Sequence, residues 1–147
     1  MTRILLFFSM IMLFSQGLKA QTVGNEWIDY SQKYFQIKIY ETGWYRLDYT
    51  DVNSALSSQA LDISAIGSDQ FQIFGREQEQ PINVVDGGDG FLNSGDYIEF
   101  YAEKNDGWKD SLLFDNVANQ PDQYYSYVND TILYNLSFTS DGNWKRI

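Results

Sequence analysis

Residues 34–40, YFQIKIY, place Phe35, Ile37 and Ile39 on one side of an extended chain and Gln36 and Lys38 on the other. An apolar residue at every second position is the period of a strand with one buried face. The same period returns at residues 44–49 (WYRLDY), 70–74 (QFQIF), 97–102 (YIEFYA) and 131–139 (TILYNLSFT). Residues 81–85 (PINVV) add a strand that starts at Pro81, where a missing N–H is tolerated. Turn signals separate the runs. ETG at residues 41–43 reads as the turn of a β-hairpin joining the first two strands. Residues 75–80 read as a turn that brings 81–85 back beside 70–74. The stretch 86–96, DGGDGFLNSGD, carries four glycines and reads as loop. Helix is confined to connectors. Thr50 or Asp51 caps a short piece through Leu56, on which Val52, Ala55 and Leu56 share a side, and residues 62–66 form a single turn. No amphipathic helix is long enough for a βαβ unit. The expectation is an all-β fold, an antiparallel β-sandwich or barrel-like module with minor short helices. The closing WKRI, residues 144–147, has no evident partner and reads as the first half of an unfinished hairpin, which makes the module incomplete at its C-terminus.

The first twenty residues belong to a different class of sequence. Arg3 precedes a charge-free apolar run over residues 4–14, which breaks at Ser15, Gln16 and Gly17 and ends on the small Ala20. This is the layout of a cleaved secretory signal peptide, too short in its apolar part to span a bilayer comfortably. Residues 1–20 are therefore expected to be a signal peptide and residues 21–147 the mature β-rich module. The module would be exported to a periplasm, an outer-membrane surface or the extracellular medium, with no stable membrane insertion after cleavage. Loss of Arg3 and Lys19 leaves twenty acids against eight bases, moving the formal net charge from −10 to −12. Nucleic acid is an unsuitable partner for such a surface.

The chain has no Cys and no His. That excludes disulfides, a thiolate nucleophile and a Ser-His-Asp relay. Asp86, Asp89 and Asp96 in the glycine-rich loop are the candidate hard-oxygen ligands for calcium, although an EF-hand register fails because it puts Val85 at the first ligand position. The competing account makes these carboxylates caps for backbone amides in a solvated loop. Asn105, Asp106 and Gly107 beside Trp108 mark either a ligand groove or an Asp-Gly turn between strands. Glu99 and Glu103 are the best paired carboxylates for a hydrolase, but nothing in their spacing holds them across a cleft. The candidate interaction surface consists of Trp44, Tyr101, Trp108, Tyr124 and Tyr125, rigid amphipathic side chains that suit a contact face. On the residues alone, a secreted carbohydrate- or cell-surface-binding β module is one reading and a protein-docking module another.

Four stretches carry a resemblance: NEWIDYSQKYFQIKIYETGWYRLDY (25–49), FQIFGREQEQPI (71–82), DGFLNSGDYIEFYAEKNDGWKDSLLFD (89–115) and NQPDQYYS (119–126). They resemble the N-terminal, non-catalytic region of gingipain-like cysteine peptidases of Bacteroidetes, above all the sortase-like proteins of the type IX secretion system. The run GDYIEFYAEKNDG at 95–107 is the most specific piece. The resemblance implies β-rich N-terminal modules behind a signal peptide, with a caspase-like catalytic domain later in the chain. The family's catalytic His and Cys have no counterpart here, so no residue inherits those roles. The implied function is non-catalytic: packing against or positioning a catalytic domain absent from this sequence. The implied partners are the catalytic and following β domains of the parent protein or a neighbouring gene product. On this view the sequence is a fragment, a truncated or split gene product, or a free-standing copy of the module.

Overall fold

A computed structural model describes residues 24–122, 124–140 and 144–147. The expected signal peptide, the cleavage point before Gln21 and the turn at residues 141–143 lie outside the described residues. Seven strands are present among them: β1 (Phe35–Ile39), β2 (Gly43–Asp48), β3 (Phe71–Gly75), β4 (Gln78–Gln80), β5 (Ile82–Val85), β6 (Tyr97–Ala102) and β7 (Ile132–Phe138). One α-helix, α1 (Tyr49–Ser57), follows β2, and short 3-10 turns punctuate the connections. The strands form two antiparallel sheets, one in the order β1-β7-β3-β4 and the other β2-β6-β5. Neither sheet closes into a barrel, and the all-β expectation is corrected to a mixed module of two sheets and a single helix. The helix forms because Val52 and Leu56, one turn apart, both bury against the core.

The alternation is realised as read. Phe35, Ile37 and Ile39 face inward while Gln36 and Lys38 are exposed; Tyr45 and Leu47 face inward while Trp44, Arg46 and Asp48 are exposed. The hairpin is not. β1 pairs with β7, with Phe35 opposite Leu136, whereas β2 pairs with β6, with Trp44 opposite Tyr101. Residues 40–42 carry the chain from one sheet to the other, and the Tyr45 hydroxyl fixes that crossing by donating to the Glu41 carbonyl at 2.8 Å. The second expected pairing is corrected likewise. β3 turns back through Arg76 and Glu77 onto the short β4, with Gly75 opposite Gln78. Pro81 then sends the chain into the other sheet, where β5 lies beside β6.

The inner faces of both sheets feed one core. Ile39, Phe71, Ile73, Tyr134 and Leu136 come from one side, and Ile82, Ile98, Phe100 and Ala102 from the other, with Val52, Leu56, Ile63, Ile66 and Leu92 closing the ends. The Phe100 and Tyr134 rings meet across it at 6.0 Å. Residues 144–147 are not solitary. Arg146 bridges to Ile82 in parallel register, with Ile82 N donating to Lys145 O at 3.2 Å and Ile147 N to Ile82 O at 3.0 Å. Lys145 also ties to β4, its amide donating to Glu79 Oε1 and its Nζ to the Glu79 carbonyl. The expected lone half-hairpin is thus a single parallel bridge on the outer edge of β5. Among the described residues no helix is long and apolar enough to cross a membrane.

Candidate functional site

The two sheets differ in what lies on their outer faces. On the four-stranded sheet, residues 24–34 cross the outer face. Trp27 stacks on Phe74 at 5.3 Å and meets Tyr34 edge-on at 5.6 Å, and the buried Ser137 hydroxyl bonds to Gln32 and Lys33. The three-stranded sheet keeps large aromatics in solvent. Trp44 is 66 % and Tyr101 44 % exposed, and the two rings, directly opposite in register, meet edge-to-face at 5.9 Å. The next row down this face is polar: Arg46 opposite Glu99, which accepts from Asn83 Nδ2 at 3.4 Å. The Arg46 guanidinium lies 3.7 Å over the Tyr97 ring and its Nε is 2.6 Å from Asp48 Oδ1. The outer face of this sheet thus carries an exposed aromatic pair next to a row of polar side chains.

The other expected surface residues lie elsewhere. Trp108 sits beneath two cations, Lys109 Nζ at 4.9 Å and the Arg76 guanidinium at 5.9 Å. Arg76 clasps the segment leading to it, donating to the Lys104 carbonyl at 2.8 Å and pairing with Asp106 at 3.1 Å. Its Nε is 3.3 Å from Glu103 Oε2, but the angle does not make a hydrogen bond. Lys109 pairs with Glu77. Asp106 Oδ1 accepts from the Trp108 amide and Asn105 Oδ1 from Gly107, so these residues do form a turn; it leads into the 3-10 turn Asp110–Leu113 and not into a strand. Tyr124 and Tyr125 are exposed in the irregular segment that follows, which Asp110 pins by accepting from Ser126 Oγ and the Tyr127 amide. Among the described residues neither tyrosine makes a ring contact with the Trp44–Tyr101 pair.

The acidic loop uses its carboxylates internally. Asp86 accepts from Ser68 Oγ and the Gly88 amide, Asp89 from the Phe91 amide and Asn93 Nδ2, and Asp96 from the Asn93 amide. The Ser68 hydroxyl first, then the Gly88 amide, hold the Asp86 carboxyl below the usual carboxylate range. Among the described residues no three Asp or Glu side chains gather as a metal-binding group. Glu99 and Glu103 have separate neighbours: Glu99 faces Arg46 and Asn83, while Glu103 lies beside Arg76 and its amide donates to the buried Tyr134 hydroxyl at 3.0 Å. Residue spacing missed Trp27, Arg76 and Tyr97. The only signal for them was apolar or cationic character in loops and on a polar strand face. No family model, curated protein or solved structure matches the chain.

Proposed function

We propose that the chain is a non-catalytic β-sandwich module of a secreted gingipain-like protein, and that it docks on a companion catalytic domain through the outer face of β2, β6 and β5. The observation that carries this reading is the contrast between the sheets: one outer face is roofed by residues 24–34, while the other leaves Trp44 and Tyr101 exposed beside a polar row. An apolar centre with a polar border is the anatomy of a protein contact. The shared core of the two sheets supports the sandwich description, and the sequence resemblance supplies the companion. The test is titration of the chain with a separately produced catalytic domain of a gingipain-like peptidase encoded in the same genome. Binding at tens of micromolar or tighter is expected, weakened about tenfold by Trp44→Ala, as for a central aromatic anchor. No association at those concentrations overturns the reading.

A secreted carbohydrate- or cell-surface-binding module is the second reading. It is favoured by the same face, where an aromatic pair to stack on a sugar ring adjoins Arg46, Glu99 and Asn83 to receive its hydroxyls. Glycan-array binding that vanishes in Trp44→Ala, with no affinity for the catalytic domain, would select it.

A further inference from the structure

The two flanks of the molecule, where the sheet edges meet, are finished differently. On one, β4 and β5 lie at the ends of their sheets, and residues 145–147 bridge to β5 through two backbone hydrogen bonds. On the other, β1 and β2 are the terminal strands. Here β2 runs on into α1, and β1 is paired on one side only, to β7. In an antiparallel ladder alternate residues turn their N–H and C=O away from the partner, so among the described residues β1 presents a row of backbone groups with no strand beside them. Opposite that row stands α1. Between them is a cavity of about 320 Å³ whose walls are Phe35 and Ile37 of β1, Leu47, and Val52 and Ala55 of α1. Two charges stand at its rim, Lys38 on the strand and Asp51 on the helix. Both are exposed, and among the described residues neither forms an ion pair.

We infer that this groove binds an extended peptide of a partner protein, which adds to β1 as a strand, seats one large apolar side chain in the cavity and sets an acidic side chain beside Lys38. Each part follows from a wall of the groove. A free strand edge recognises extended backbone, and alternate side chains of an added strand point into and out of the pocket beneath it. The inward one meets Phe35, Ile37, Val52 and Ala55. The outward one lies cross-strand from Lys38, where opposite charge is favourable. Lys38 is the one cation among the residues lining the groove, so acid is favoured on the strand side, while Asp51 on the facing helix confines that preference to the position beside Lys38. A second copy of the chain is a poorer occupant, because two bodies of net charge −10 repel more strongly than one such body and a short peptide. The inference stands apart from the companion-domain reading, which uses the outer face of the other sheet.

The probe is a blocked heptapeptide, Thr-Glu-Ile-Glu-Leu-Glu-Thr, titrated into the isotope-labelled chain and followed by amide NMR shifts. Shifts confined to β1 and α1 are expected, with Kd between about 10 μM and 1 mM. Lys38→Glu is expected to weaken the peptide at least fivefold and to prefer the variant with Lys at the three Glu positions. Ala55→Trp, which fills the cavity, is expected to abolish binding. Since Ala55→Trp can disturb the core, the surface change Lys38→Glu and a backbone N-methylated peptide carry the test independently. The inference is overturned by an absence of β1 shifts at about 1 mM peptide, by equal binding of the N-methylated peptide, by indifference to Lys38→Glu, or by β1 shifts that depend on protein concentration without peptide.

Discussion

Gly75 and Tyr134 fix one another. A Cβ built on Gly75 would clash with Cε1 and Cδ1 of the Tyr134 ring, so this strand position needs glycine for close approach and not for an unusual backbone angle. The ring is 1 % exposed, and its hydroxyl accepts the Glu103 amide. Gly75→Ala is expected to lower stability in urea unfolding by about 2–4 kcal/mol through overpacking and displacement of the ring. Tyr134→Phe should lower it by about 1–2 kcal/mol, the amount that accompanies an orphaned amide. Burial raises the Tyr134 pKa above 10, so the stability it confers is complete below pH 10 and is lost as pH rises through the folded value. Tyr134→Phe should therefore show a flatter alkaline limb. The acid side has the opposite sign. Asp29, Asp62 and Asp86 are held below 3.8, mainly by serine hydroxyls. Their stabilisation is present above that value and is lost as pH falls through the folded pKa values. Melting temperature should fall in that window, and Asp86→Asn should flatten the fall; an unchanged acid limb would contradict this account.

Among the elements, strand identity was legible and strand partnership was not. Alternation fixed β1, β2, β6 and β7 to within two residues, because a half-buried strand writes its inner face into every second residue. It says nothing about which sheet supplies that burial. β1 and β2 both have an apolar face and a short connection, and the hairpin reading followed; yet each finds its partner beyond residue 96, which no local pattern encodes. Residues 75–80 read as a turn, and they do turn back, but the short strand β4 within them was hidden for another reason. Arg76 and Glu77 take positive φ, 51° and 62°, without the Asn-Gly signature of such turns. Ties to Lys104, Asp106 and Lys109 hold them there. The candidate site was half legible. Trp44 and Tyr101 could be placed on polar strand faces from sequence, but their meeting required the β2–β6 register. Trp108, Tyr124 and Tyr125 sit on irregular segments whose positions depend on Arg76 and Asp110. The bridge made by residues 145–147 gives a direct test. Ending the chain at Trp144 should cost about 1–2 kcal/mol and speed exchange of the Ile82 amide, which loses its partner on that side.

At the scale of the whole molecule, one core serves both sheets, and Phe100 is its centre. Its ring is fully buried, 5.8 Å from Tyr45 and 6.0 Å from Tyr134, so it contacts both layers. Phe100→Ala is expected to destabilise by about 3–5 kcal/mol. The loss should appear as one transition, with circular dichroism and tryptophan fluorescence coincident, because neither sheet keeps a core without the other. Two separate transitions would mean that the sheets are independent. The pairing of β1 with β7 also sets a clock. Phe35 waits for Leu136, a loop on the order of a hundred residues, before the four-stranded sheet can exist, and contacts of that span make folding slow. During synthesis β1 therefore has no strand partner until residues 132–136 have been made. The three-stranded sheet is not so delayed, because β2, β6 and β5 are all complete once residue 102 is made.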